Sequence, residues 1–114
     1  MAIDRKKVYE KFGGRCAYCG KGILFNRMEV DHMFPRFLSD LQSGLDNDNF
    51  KNLMPACRPC NRHKGGMSLE MWRDELSKQV DRIRSGPFDR ALRFGQIKVT
   101  ECPIVFYFER AMED

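Results

Sequence analysis

The 114 residues are enough for one domain with a modest core. A composition of 42% hydrophobic and 32% charged residues is that of a globular protein and excludes a disordered or fibrous one, and no apolar run approaches the roughly 20 residues needed to span a bilayer. The net charge of +4 is uneven: residues 1–64 carry 12 Lys and Arg against 7 Asp and Glu, and residues 65–114 carry 8 against 9. A basic first part fits a polyanionic partner, although many ordinary domains show as much.

Residues 4–12 predict a helix, with Asp4 capping its start and Val8 and Phe12 four apart on one face. The charged start leads into no apolar signal segment, which predicts a cytosolic protein. Gly13 and Gly14 end the helix, and Cys16-Ala17-Tyr18-Cys19-Gly20 forms a tight knuckle. Met28 to His32 alternates apolar and polar side chains, the pattern of a strand, which Pro35 closes. Residues 39–49 are polar and turn-prone and predict a surface loop. Phe50 to Pro55 supplies a second strand, so that strand, loop and strand make an antiparallel hairpin. A helix begins in the later part of 57–64 and stops at Gly65-Gly66.

Ser68 caps a longer helix in which Leu69, Trp72, Leu76, Val80 and Ile83 form one apolar stripe, ended by Gly86-Pro87. A short helix from Phe88 to Phe94 carries Gly95 at its C-terminal cap. The β-prone run Ile104 to Phe108 predicts a terminal strand, and Phe106 and Phe108 there offer a strand edge for a homodimer. The chain thus reads as a single domain over 1–114, with a core at 4–66 and a helical tail with a last strand at 67–114.

Four of the five cysteines form two C-x-x-C pairs, Cys16 with Cys19 and Cys57 with Cys60. In a cytosolic chain such pairs read as metal ligands before disulfides. Four thiolates satisfy tetrahedral Zn²⁺ and leave no position open for substrate, so the site is structural. The 37 residues between the pairs leave room for the inserted hairpin. Cys102, beside Pro103, reads as an ordinary buried residue.

Three further signals accompany the cysteines: Val30-Asp31-His32, Lys51-Asn52-Leu53 and Cys60-Asn61-Arg62-His63-Lys64. With them, residues 16–64 resemble the HNH endonuclease family of metal-dependent nucleases. The tail and the phenylalanine-rich end also look like those of small HNH proteins of bacteria and phages. The resemblance implies an α+β fold, a ββα-metal core stapled by the four-cysteine zinc site. It also implies DNA cleavage to 5′-phosphate products.

In that reading His32 is the general base, since a neutral imidazole can take a proton from water near pH 7. Asp31 is the carboxylate ligand of a single Mg²⁺ or Mn²⁺. Asn61 matches the second ligand, and Asn52 the residue that ties the hairpin loop and helps fix the base. Neighbouring strand residues point to opposite faces, so a bend must bring Asp31 and His32 to one site. The bland readings stand beside these: a solvated Asp-His pair, a turn-capping Asn52, a helix-capping Asn61. His63 falls on a different helix face from Asn61 and reads as a surface or DNA contact, with metal ligation as its alternative. Lys64 matches the family's lysine, for which phosphate contact is expected.

Arg36, Arg58 and Arg62 join His63 and Lys64 as candidate DNA contacts, within a wider basic set that includes Arg5, Lys11, Arg15 and Arg27. No basic helix is long enough for base readout, so the expectation is nicking or low-specificity cutting. Two rivals remain: a zinc-stapled nucleic-acid-binding module that does not cut, and a subunit active only with the partners of a phage packaging or defence complex.

Overall fold

The computed structural model describes residues 3–35 and 49–111. Arg36 and the predicted loop at 39–49, apart from Asn49, lie outside them. The chain divides into two compact units. The first runs to Leu69 and takes back the chain from Val105, and the second spans Glu70–Ile104.

The first unit opens with helix α1, Arg5–Glu10. Asp4 caps it as predicted, its carboxylate accepting the Lys7 amide. Strands β1, Glu29–His32, and β2, Leu53–Ala56, pair antiparallel in the register Glu29–Ala56 to His32–Leu53. A 3₁₀ turn, Phe50–Asn52, precedes β2, so the second strand is shorter than Phe50 to Pro55. Helix α2, Arg58–Lys64, follows directly, with Cys57 at its N-cap. It occupies most of 57–64 rather than the later part, because Pro59 already holds helical φ in the first turn. Val8 of α1, Met28 and Leu53 form one buried cluster, with Ile3, Tyr9, Ile23 and Val30 against it.

Three basic side chains that the sequence offers as a phosphate face are structural. Arg5 donates to the Met28 carbonyl at 2.8 Å and Arg15 to the Gly20 carbonyl at 2.9 Å. The Lys11 ammonium bonds the carbonyls of Phe50 at 2.9 Å and Leu53 at 2.8 Å, holding α1 to the start of β2.

The terminal strand is corrected. Tyr107–Ala111 is a helix, α6 in chain order after the three described below. Its start is fixed by Glu109, whose carboxylate accepts the Phe106 amide at 2.9 Å, one half of a capping box. Phe106 and Phe108 are buried, with rings stacked at 6.1 Å, and offer no edge for a dimer. Both rings meet Tyr18 edge-on, at 5.6 and 6.2 Å. Tyr107 covers Gly20, where a Cβ would come within 2.9 Å of its ring and where φ is +79°.

The second unit is helical. The long helix expected from Ser68 breaks into α3, Leu69–Ser77, and α4, Gln79–Arg82. The Ser77 hydroxyl bonds back to the Asp74 carbonyl at 2.6 Å, and the Lys78 amide takes the Glu75 carbonyl in a tighter turn. The apolar stripe therefore stops short: Trp72 is buried but Ile83 is 61% exposed. Helix α5, Gly86–Arg93, starts two residues before Phe88 because Ser85 caps it, and Gly95 follows with φ +73°. Cys102, expected to be buried, is exposed. Among the described residues no helix is long and apolar enough to cross a membrane.

Candidate metal and catalytic centre

The two C-x-x-C turns converge. Backbone bonds bring the first knuckle to the hairpin, with the Ala17 amide on the Pro55 carbonyl at 2.8 Å, and Cys57 and Cys60 begin α2 beside it. The four sulfurs of Cys16, Cys19, Cys57 and Cys60 lie within 4.8 Å of one another, and Cys19 Sγ is 3.8 Å from Cys57 Sγ. A tetrahedral zinc with Zn–S bonds of about 2.3 Å separates its sulfurs by about 3.8 Å, so the cluster is positioned to hold such an ion. The thiols also perturb one another. A hydrogen bond from Cys60 draws the Cys16 thiol well below the usual range, and that bond with burial pushes Cys60 up. Burial raises Cys57 as well. Four thiols this close cannot all ionise without a cation among them.

Two residues apart on β1, Glu29 and Asp31 share one face of the strand. Three apart on α2, Asn61 and Lys64 share one face of the helix. The two faces meet pairwise: Asn61 Nδ2 donates to Glu29 Oε1 at 2.8 Å, and Lys64 Nζ lies 3.0 Å from Asp31 Oδ2. The Tyr18 hydroxyl donates to the same Asp31 Oδ2 at 2.5 Å. Burial, and then the Asp31 charge, hold that phenol protonated far above its usual range, so it remains a donor. Both donors of Asp31 thus converge on one oxygen, and Asn61 commits only its nitrogen. Among the described residues, Asp31 Oδ1 and Asn61 Oδ1 take no hydrogen bond.

His32 ends β1 opposite Leu53 and is half-buried. Its carbonyl accepts from Lys64 Nζ at 3.1 Å. The chain bends at Met33 and Phe34, immediately after it. Asn52 ties that bend: its Oδ1 accepts the Phe34 amide at 2.7 Å, its Nδ2 donates to the Phe34 carbonyl at 3.2 Å, and its own carbonyl takes the Met33 amide at 2.8 Å. Asn61 sits inside α2 rather than at its cap.

Of the expected DNA contacts, Arg58, Arg62 and His63 are exposed on α2, and Arg62 lies 3.7 Å from Glu29. Lys64, also expected as a phosphate contact, is 1% exposed, and its ammonium lies against Asp31 and the His32 carbonyl. An open groove lined by Lys21, Arg27, Glu29 and Arg58 adjoins the first unit's site. The sequence reading missed Glu29 and Tyr18. The period-two pattern, which sets Glu29 on Asp31's face, carried a signal for the first.

Parts of the chain are similar to known proteins. Residues 16–66 match the family model of the HNH endonuclease. The chain is 32% identical over 108 residues to a CRISPR-associated endonuclease Cas9 of Corynebacterium diphtheriae, covering 88% of the chain and 9% of that protein. A second CRISPR-associated endonuclease Cas9, from Actinomyces naeslundii, is 32% identical over 71 residues, 61% of the chain and 6% of the relative. The crystal structure of the Type II-C Cas9 enzyme from Actinomyces naeslundii superposes with a TM-score of 0.52 at 30% identity, over 63% of this chain and 8% of that one. The chain therefore spans less than a tenth of the length of these relatives.

Proposed function

We propose that this chain hydrolyses DNA phosphodiester bonds, a reading supported by the match of residues 16–66 to the HNH endonuclease family model. His32 is the general base, and Asp31 and Asn61 are the protein ligands of one Mg²⁺ or Mn²⁺. The observation that carries the reading is the pair of uncommitted oxygens. Asp31 Oδ1 and Asn61 Oδ1 belong to facing elements whose remaining polar atoms are bonded to Tyr18, Lys64 and Glu29. Two oxygen donors suit a hard cation that keeps several water and phosphate oxygens around it. When bound, such an ion neutralises charge on the phosphate and the leaving oxygen.

The chain's own residues do the rest. His32 takes a proton from a water, which attacks the phosphorus; the P–O3′ bond breaks and the 3′ oxygen leaves and takes a proton from solvent, giving a 5′-phosphate and a 3′-hydroxyl. Asn52 holds the bend that follows His32 and so limits the imidazole's swing. Zinc on Cys16, Cys19, Cys57 and Cys60 fixes the knuckle and the start of α2, which suits the reducing cytosol where thiolates persist. Lys21, Arg27, Arg58, Arg62 and His63 meet the DNA backbone, contacts that give affinity without sequence information. One such centre per chain cuts one strand at a time, so nicking is the expected outcome.

The test is cleavage of supercoiled plasmid by zinc-loaded protein with Mg²⁺ or with EDTA, beside His32→Ala. Mg²⁺-dependent nicking that falls by about 10²- to 10⁴-fold in the variant supports the reading. Equal cutting by a folded variant sinks it. A second reading is favoured by the length of the relatives: the centre cuts only as a segment or partner of a larger assembly. Metal binding without cleavage by the isolated chain is its signature.

A further inference from the structure

We infer that Tyr18, within the cysteine knuckle, is a positioning residue for the catalytic cation: its hydroxyl, together with Lys64, fixes Asp31 so that Oδ1 is presented to the ion. The inference rests on the proposed role of Asp31 as ligand.

Tyr18 has little freedom. It stands between Cys16 and Cys19, and its amide faces Cys16 Sγ at 3.4 Å. Its carbonyl accepts the Tyr107 amide at 2.9 Å. The ring is met edge-on by Phe106 and Phe108 and is 3% exposed. From this seat the hydroxyl reaches Asp31 Oδ2 at 2.5 Å, where Lys64 Nζ arrives from α2 at 3.0 Å. Tyr18 belongs to the zinc knuckle and Lys64 to the helix that the second cysteine pair begins.

A buried carboxylate that needed only neutralising would be served as well by one donor on each oxygen. Two donors on one oxygen do something further. They fix the carboxylate plane and leave the other oxygen aimed and unpaired, the arrangement that preorganises a ligand. The four cysteines thus act on the catalytic centre through one hydroxyl as well as by holding the fold.

The test is Mn²⁺ binding to the zinc-loaded chain, read by loss of the free-ion paramagnetic resonance signal, for wild type and Tyr18→Phe. Phenylalanine keeps the ring and the knuckle, so zinc content and melting temperature serve as controls. Loss of the hydroxyl is expected to weaken Mn²⁺ about 10-fold, the lower end for partners that orient a metal ligand. In cleavage the Mg²⁺ concentration for half-maximal rate rises to match, while the rate at saturating Mg²⁺ changes little. Phe106→Leu is the contrast: it loosens the ring's packing and lowers the melting temperature but keeps the hydroxyl, so the folded protein binds Mn²⁺ as wild type does. A wild type that binds Mn²⁺ and a Tyr18→Phe protein that binds it equally overturn this inference alone. A wild type that binds no Mn²⁺ overturns it together with the proposed ligand pair.

Discussion

Replacing Lys64 by methionine removes a charge from the interior while keeping most of the stem's volume. The lysine side chain is fully buried and its partner Asp31 is 8% exposed, so water screens little of the pair. The ammonium serves Asp31 Oδ2 at 3.0 Å and the His32 carbonyl at 3.1 Å, and after the change Asp31 keeps only Tyr18. Breaking a buried pair from one side costs about 3–5 kcal/mol, because the surviving charge is left uncompensated. The surviving Tyr18 bond argues for the lower figure, about 3 kcal/mol, a large part of the roughly 5–15 kcal/mol that holds a domain together. Urea unfolding of the zinc-loaded protein, followed by far-ultraviolet circular dichroism, measures it. The double variant Asp31→Asn with Lys64→Met removes both charges and is expected to recover about 1–2 kcal/mol of the loss. A single-variant loss below about 1 kcal/mol would mean that the ammonium is solvated, and the role given to Lys64 would be wrong.

Removing zinc should unfold the first unit, since structural zinc contributes an apparent ~10–16 kcal/mol, comparable with or above a domain's whole stability; one zinc per chain by elemental analysis, lost in Cys57→Ala, checks the site. Asn52→Ala strips the bend after His32 of two side-chain bonds, to the Phe34 amide and carbonyl, with an expected loss of about 1–3 kcal/mol and a fall in cleavage rate at saturating Mg²⁺; unchanged stability and rate would contradict the tie. Asp4→Ala should cost about 1 kcal/mol as a lost helix cap and leave cleavage of the folded protein untouched; denaturant titration and a plasmid assay settle both halves.

Much of the first unit was legible because its signals are local. Asp4 caps α1, the alternation at Met28 to His32 is a strand, and two C-x-x-C turns demand a shared ion. The failures came where a tertiary contact or a local side-chain bond overrides the pattern of the run. The run from Ile104 to Phe108 is β-prone, but its aromatic rings find Tyr18 and its amide finds Glu109, which favours a helix over an unpaired strand. The apolar stripe of the second unit has helical spacing, yet Ser77 turns its hydroxyl back on the helix and the helix divides. For the proposed site the sequence offered Asp31, His32, Asn52 and Asn61 by motif, but not what surrounds them. A lysine in a basic run reads as surface, and only the fold reveals Lys64 as a buried counter-charge. Tyr18 looks like filler inside a zinc knuckle, since nothing in its neighbours points across to Asp31.

The most direct test of the centre compares His32→Ala and Asn61→Ala on one end-labelled duplex across a range of Mg²⁺ concentrations. If His32 is the base and Asn61 a ligand, Asn61→Ala regains product as Mg²⁺ rises, with a 5′-phosphate at the cut, whereas His32→Ala stays about 10²- to 10⁴-fold slower than wild type at every concentration. If Mg²⁺ rescues His32→Ala, or if Asn61→Ala shows the wild-type dependence, the assignment of base and ligand is wrong.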